Sequence, residues 1–269
     1  ALDGLLPSSK GELYLTDLVA AAVAQGHEVE AVLLEDAGEG LGVNDGVQLA
    51  RAREVVQRRV NNKWLLRGVN IIEPAFIDVT VELEPDTIIY PNTFLRGKTV
   101  IGKGCQIGPG SIIEDSVIAD GCRVLQSVVE EAVLEEAVEM GPYSHIRPES
   151  HLERDVHIGN FAEVKKSRLG RGTKMGHFSY VGDAWVGPDV NIGAGAVTCN
   201  YDGVDKHQTV IEEGAFIGSD CMLVAPVRVG ARASTGAGSV VTKDVPAGAM
   251  VVGVPARIVA NGRPQKGQE

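Results

Sequence analysis

Apolar residues recur along most of this chain at intervals of six, with an occasional step of five. From Met140 the series runs through Ile146, Leu152, Ile158 and Val164, steps five to Leu169, and continues through Met175, Val181, Val186, Ile192 and Thr198. It resumes at Ile211, Ile217, Leu223, Val229, Thr235 and Val241, and an earlier section reads Ile101, Ile107, Ile113, Ile118 and Val124. Glycine follows the apolar residue at many of these steps, including Gly141, Gly159, Gly176 and Gly193. Such a period fits neither an amphipathic helix nor an alternating strand. It predicts a mainly β chain folded as a parallel β-helix of hexapeptide repeats, each hexad supplying a short strand and a turn with the aliphatic pointing inward. Three hexads close one triangular coil, so equivalent positions lie about 18 residues apart.

Upstream of the ladder the pattern changes. Residues 11–25 predict a helix, 29–34 ("VEAVLL") a strand, and 46–68 a long basic helix able to connect two domains. Residues 1–45 are too few to bury a core of their own, so they read as the end of a domain whose beginning lies elsewhere. The expected division is therefore 1–45, a linker helix at 46–68, a β-helix at 69–250 and a tail at 251–269. The chain opens without methionine, as a processed or truncated chain would.

Composition supports this reading. Aromatics make up only 4% of the chain while glycine reaches 33 of 269 residues, as expected of a narrow interior filled with aliphatics and turned at tight corners. A formal net charge of −11 argues against nucleic acid or an anionic membrane as the main partner. The four cysteines form no C-x-x-C pair and suggest no disulfide or zinc framework, so a reducing cytoplasm is the simplest location. No apolar run is long enough to span a membrane.

Coil geometry then places side chains on faces. Two residues beyond Ile158, Met175, Ile192, Ile217 and Thr235 stand Asn160, His177, Ala194, Ser219 and Ala237. One histidine followed by three small residues in successive coils makes a shallow channel for a long thin ligand, with its reactive end at His177. Arg147 and Lys165, 18 apart, stack as a two-cation grip for a phosphate. Between Thr198 and Ile211 the ladder is interrupted by "CNYDGVDKHQTV", a loop carrying Asn200, Lys206 and His207. His145, His151 and His157 are six apart and so should point to three different faces rather than gather a metal. His27 is expected to be exposed, and nothing around Cys199 suggests an activated thiolate.

The segments "GPYSHIRPES", "HIGNFAEVKKSRLGRGTKMGHFSYVGDAWVG" and "NIGAGAVTCNYDGVDKHQTVI" resemble the acetyltransferase half of the bacterial bifunctional N-acetylglucosamine-1-phosphate uridyltransferase/glucosamine-1-phosphate acetyltransferases. "GELYLTD" and "GVNDGVQLARA" resemble the end of their uridyltransferase domain. The resemblance implies a left-handed parallel β-helix that assembles into homotrimers with active sites between subunits. It implies transfer of acetyl from acetyl-CoA to the amine of glucosamine 1-phosphate, a step toward UDP-N-acetylglucosamine and the cell-wall precursors made from it. Matched motif by motif, His177 becomes the catalytic base, and Arg147, Lys165, Tyr180, Asn191 and Lys206 become sugar-phosphate contacts, Lys206 reaching an adjacent subunit's substrate. Ala194, Asn200, Tyr201, Ser219 and Ala237 fall to the cofactor, with backbone N–H groups near Asn200 and Tyr201 as candidate oxyanion donors. The family often carries an arginine near the C-terminal end for the cofactor's phosphates. This chain reads "VVGVPARIVANGR" there, which leaves Arg257 as the candidate, with Gly253 or Val254 in the usual place. Asn44 matches a residue that helps hold Mg²⁺ in the uridyltransferase half, but the glycine-rich nucleotide loop and the aspartate partner are absent, so uridyl transfer is not expected. An acyltransferase with another amine acceptor and a catalytically inert β-helical scaffold are the alternative readings.

Overall fold

In the computed structural model, the residues described are Pro7 and 11–259. Residues 1–6 and 8–10 of the expected N-terminal segment, and 260–269 of the expected tail, lie outside them. From Asn70 onward the chain coils through three sheets of 12, 10 and 9 short strands, parallel except for the last strand of the largest, a left-handed parallel β-helix of hexapeptide repeats. We name the sheets by residues they display: the His177 face, the Arg147 face and the Trp185 face. Each coil pairs in register with the next, as in Met140 with Ile158, Ile158 with Met175, Met175 with Ile192 and Ile192 with Ile217.

The ladder is the core. Ile101, Ile146, Ile158, Leu169, Met175 and Ile217 are completely buried, and the polar Thr198 and Thr235 point inward with them. Ile71, Ile77, Leu83, Ile89 and Leu95 extend the ladder upstream, and Val129 and Leu134 bridge the gap between Val124 and Met140. Stacked aliphatics explain how a core is filled with so few aromatic rings.

Both ends of the coil are covered. Helix α2 (Gly46–Leu65) starts where the Asp45 carboxylate accepts the Gln48 N–H at 2.8 Å. Its last turns bury Val60, Asn61 and Trp64, and Lys63 lies over the Trp64 ring at 4.1 Å from its centroid. The helix stops three residues short of the expected 68, in a turn that reaches Gly68 at φ +86°. At the other end Met250–Val252 pairs with the antiparallel strand Arg257–Val259, so residues 251–259 of the expected tail belong to the His177 face.

Contacts divide the chain between Val55 and Val56, within α2. In the N-terminal unit the first helix, α1, spans Asp17–Ala24 instead of 11–25: Gly11 takes a left-handed conformation, and the chain turns at Leu15 and Thr16 immediately before the helix. The strand expected at 29–34 does not form. Val32 and Leu33 are 85% and 94% exposed there, and no described residue pairs with the segment, which leaves its backbone without the ladder a strand requires. Among the described residues no helix is long and apolar enough to cross a membrane.

Two glycines illustrate how tightly the coils stack. A methyl group on Gly159 would run into the Gly176 backbone of the next coil, whereas one on Gly176 meets open space. Gly159→Ala is therefore expected to cost about 1–3 kcal/mol of stability, the range for overpacking, while Gly176→Ala stays within about 0.5 kcal/mol. Thermal unfolding of the two variants checks this, and equal shifts would contradict the stacking.

Candidate active site

The corner at Phe178 and Ser179 separates the strand Lys174–His177 from the strand Tyr180–Gly182. The same corner therefore puts His177 at the end of one face and Tyr180 at the start of the next. On the His177 face, Asn160 and His177 are partners in register. Two residues past the paired Met175–Ile192 and Ile192–Ile217 stand Ala194 and Ser219, and Ala237 stands one coil further on. His177, Ser219 and Ala237 are exposed and Ala194 half-buried, so the column expected from the sequence lies open along one face. Nδ1 of His177 lies 2.8 Å from Oδ1 of Asn160.

Around the corner, Lys165 is in register with Gly182, and Glu163 with Tyr180. Arg147 Nη1 donates to Glu163 Oε1 at 2.9 Å, and this carboxylate is the main reason the guanidinium pKa is raised. Lys206 of the loop stands beside Lys165. Its ammonium, ahead of Arg147, lowers the Lys165 pKa below the ordinary lysine value. Arg147, paired with Glu163, and the two lysines thus stand near one another, and an anion placed among them would offset the repulsion between the cations. The Tyr180 hydroxyl folds over Gly182, where any side chain would displace it.

The loop leaves the coil immediately after Cys199. Thr198 patches the ladder at its root, accepting the Gly182 N–H at 2.8 Å and donating to the Gly182 carbonyl at 3.0 Å. Buried Asn200 donates its amide to Asp183 and accepts the His207 N–H at 2.8 Å on its carbonyl. Asp202 closes the loop by pairing with His207 at 2.7 Å and accepting the Val204 and Asp205 N–H groups, His207 first among the causes that hold its carboxyl far below the usual range. The loop is therefore preorganised by its own side chains.

One expectation needs correction. The Asn200 N–H donates to the Thr198 carbonyl at 2.9 Å, so the turn at the loop root consumes it and it is not free to meet an oxyanion. Tyr201 is 60% exposed and donates its hydroxyl to the Gly203 carbonyl at 2.6 Å. Asn191 shares the His177 face but sits three positions back along its strand from the His177 column, about 10 Å by strand rise. A single chain does not bring it to the imidazole. Arg257 lies on the returning strand opposite Val252, beyond Ala237, with one guanidinium nitrogen donating to the Ala256 carbonyl at 2.9 Å.

The remaining histidines diverge as their spacing requires. His145 meets Glu130 and His151 meets Glu135, each at 2.7 Å, and His157 meets Glu139 at 3.5 Å, one on each of the three faces. Among the described residues no group of three acids, histidines or cysteines gathers as a metal site. Asn44 is exposed at the start of α2, its N–H bonded to Gln48 Oε1 at 2.6 Å, so the described residues around it do not assemble the ligands a Mg²⁺ ion needs. His27 is exposed. Burial pushes the Cys199 thiol up, away from thiolate chemistry.

Sequence reasoning gave no role to Glu163 or Gly182. Each could have been found by extending the stacked columns, since Glu163 lies 18 residues after His145 and Gly182 lies 17 after Lys165.

Fold and site together define a hexapeptide-repeat protein with a histidine, a small-residue channel and a cationic cluster at one corner. Residues 208–243 match the bacterial transferase hexapeptide family (six repeats). The chain is 51% identical over 255 residues to the Bifunctional protein GlmU of Heliobacterium modesticaldum, an alignment covering 94% of this chain and 56% of that protein. It is 48% identical over 257 residues to the protein of the same name from Streptococcus equi subsp. zooepidemicus, covering 95% and 56%. The chain is similar to these bifunctional proteins over nearly its whole length and spans about half the length of the relatives it matches.

Proposed function

We propose that this chain transfers the acetyl group of acetyl-CoA to the amine of glucosamine 1-phosphate, giving N-acetylglucosamine 1-phosphate and free coenzyme A. The observation that carries this reading is the corner itself, where His177 stands at the end of an open channel and Arg147, Lys165 and Lys206 gather just around it. The cations fix the phosphate and so present the amine, which shortens the entropic part of the barrier. Acetyl-CoA lies along Ala194, Ser219 and Ala237 with its thioester near His177 and the loop residues Asn200 and Tyr201. Arg257 then meets the cofactor's phosphates at the far end. Tyr180 contacts the sugar phosphate. His177 takes the proton that the amine sheds as the tetrahedral intermediate forms.

Asn191 and the distance that separates it from His177 support a site completed between copies of the chain, as a homotrimer would provide. Within one chain Lys206 already reaches Lys165, so its contribution does not require a second copy. We propose that residues 11–45 close a nucleotidyltransferase domain, and that Asn44 serves Mg²⁺ only together with ligands from the rest of that domain.

Channel occupancy is tested by Ala237→Leu, an exposed position where the added isobutyl group leaves the core untouched. The KM for acetyl-CoA is expected to rise about tenfold, a steric loss of roughly 1.4 kcal/mol, while the KM for the sugar phosphate stays constant. Calorimetric titration with acetyl-CoA provides the second readout. An unchanged affinity would move the cofactor off this face.

A further inference from the structure

The pairing of His177 with Asn160 carries a consequence for which ring nitrogen does the work. We infer that Asn160 is a positioning residue: it holds His177 as the Nδ1–H tautomer and thereby turns Nε2 toward the reacting amine. This inference rests on the reading of His177 as the base.

Oδ1 of Asn160 lies 2.8 Å from Nδ1 of His177, and an amide oxygen can only accept. The proton must therefore sit on Nδ1, which leaves the Nε2 lone pair free. Alignment of the two residues follows from the backbone. They are partners in register, and Gly159, just before Asn160, lets its strand approach the Gly176 backbone closely. In register with His177 on one side is Asn160, and on the other Ala194 stands two residues past Ile192, the partner of Met175; both are uncharged, while Lys174 lies at the other end of its own strand, beside His157 and Asn191. The ring is thus oriented by a dipole and not by a carboxylate.

That choice matters for turnover. A carboxylate partner would stabilise the imidazolium and retain the proton taken from the amine, whereas a neutral amide fixes the tautomer and lets the proton leave. During acetyl transfer the amine nitrogen forms its bond to the acetyl carbon, the C–S bond breaks, and the proton passes from nitrogen to Nε2 and on to the departing thiolate or to water.

Three variants test this. Asn160→Ala is expected to lower kcat about 10- to 100-fold, the scale seen for lost outer-shell partners, with both KM values changed less than about threefold. Asn160→Asp keeps an acceptor at the same place, so it should retain more activity than alanine while moving the acidic limb of the kcat/KM profile upward by about one pH unit, because a carboxylate raises the histidine pKa. A merely structural role would not move that limb. Nitrogen NMR of the histidine-labelled full chain gives a readout independent of any acceptor. Neutral His177 should carry its proton on Nδ1, and in Asn160→Ala that preference should be lost. A proton on Nε2 in the parent chain, or an unchanged tautomer and limb in both variants, would overturn the inference. If His177→Ala itself leaves the rate unchanged, the failure lies with the assigned base; if it is inactive while Asn160→Ala is normal, only the positioning role fails.

Discussion

His177→Ala is expected to lower the rate of acetyl transfer by about 10²-fold or more, the contribution of a well-placed general base. Acetyl-CoA binding, in contrast, should be unchanged. The expectation follows from chemistry that the site leaves with few other agents. A protonated amine cannot attack a thioester, and the attacking nitrogen must lose a proton as the carbonyl becomes tetrahedral. Imidazole titrates near neutral pH and can accept that proton. The alternative nucleophile near the loop, Cys199, has its thiol pKa raised by burial, so an acyl-enzyme route is disfavoured, and Cys199→Ala should keep most of the activity. Steady-state thiol release, with calorimetry for binding, separates the two effects. A His177 variant with normal kcat would place the base elsewhere.

The second large effect is expected at Arg147. Its guanidinium is anchored by Glu163 and shares its surroundings with Lys165 and Lys206. Removing it with Arg147→Ala deletes the charge-assisted contact proposed for the phosphate and leaves Glu163 without its guanidinium partner beside the same spot. A loss of about 2–3 kcal/mol follows for a charged hydrogen bond of this kind, which is roughly a 30- to 150-fold rise in KM for glucosamine 1-phosphate. Unphosphorylated glucosamine, a much poorer acceptor, should be indifferent to the substitution. Arg147→Lys restores charge without the planar fork and should recover only part of the loss. Equal losses with both acceptors would show that Arg147 supports the fold and not the phosphate.

How much was legible in the sequence depended on the kind of constraint. The ladder was readable because each inward position is set by one local rule, and every ladder residue from Ile101 to Val241 proved buried. The column from Asn160 to Ala237 followed from the same arithmetic, as did the divergence of His145, His151 and His157 to three faces. What escaped was set by partners, not by period. The strand expected at 29–34 has the right residues but no neighbouring strand among those described. Within the β-helix expected from residue 69, the individual rungs from Ile71 to Leu95 went unnamed because prolines and acidic residues interrupt the apolar-glycine signature that marks the later coils. The closing hairpin at 250–259 depends on an antiparallel return that no six-residue rule contains. Within the site, the bond from Asn200 to Asp183 of the coil and the pairing of His207 with Asp202 inside the loop are contacts between specific side chains that no repeat rule contains. Residue types alone could not show that the Asn200 N–H is consumed at the root of the loop.

The most direct measurement is release of free thiol from acetyl-CoA by this chain in the presence of glucosamine 1-phosphate, with the product identified by mass spectrometry. The account predicts thiol release dependent on the acceptor and a product heavier by one acetyl group on nitrogen. Acetyl-CoA bound without turnover on this acceptor or on other amines would contradict it and leave a β-helix that binds without catalysis.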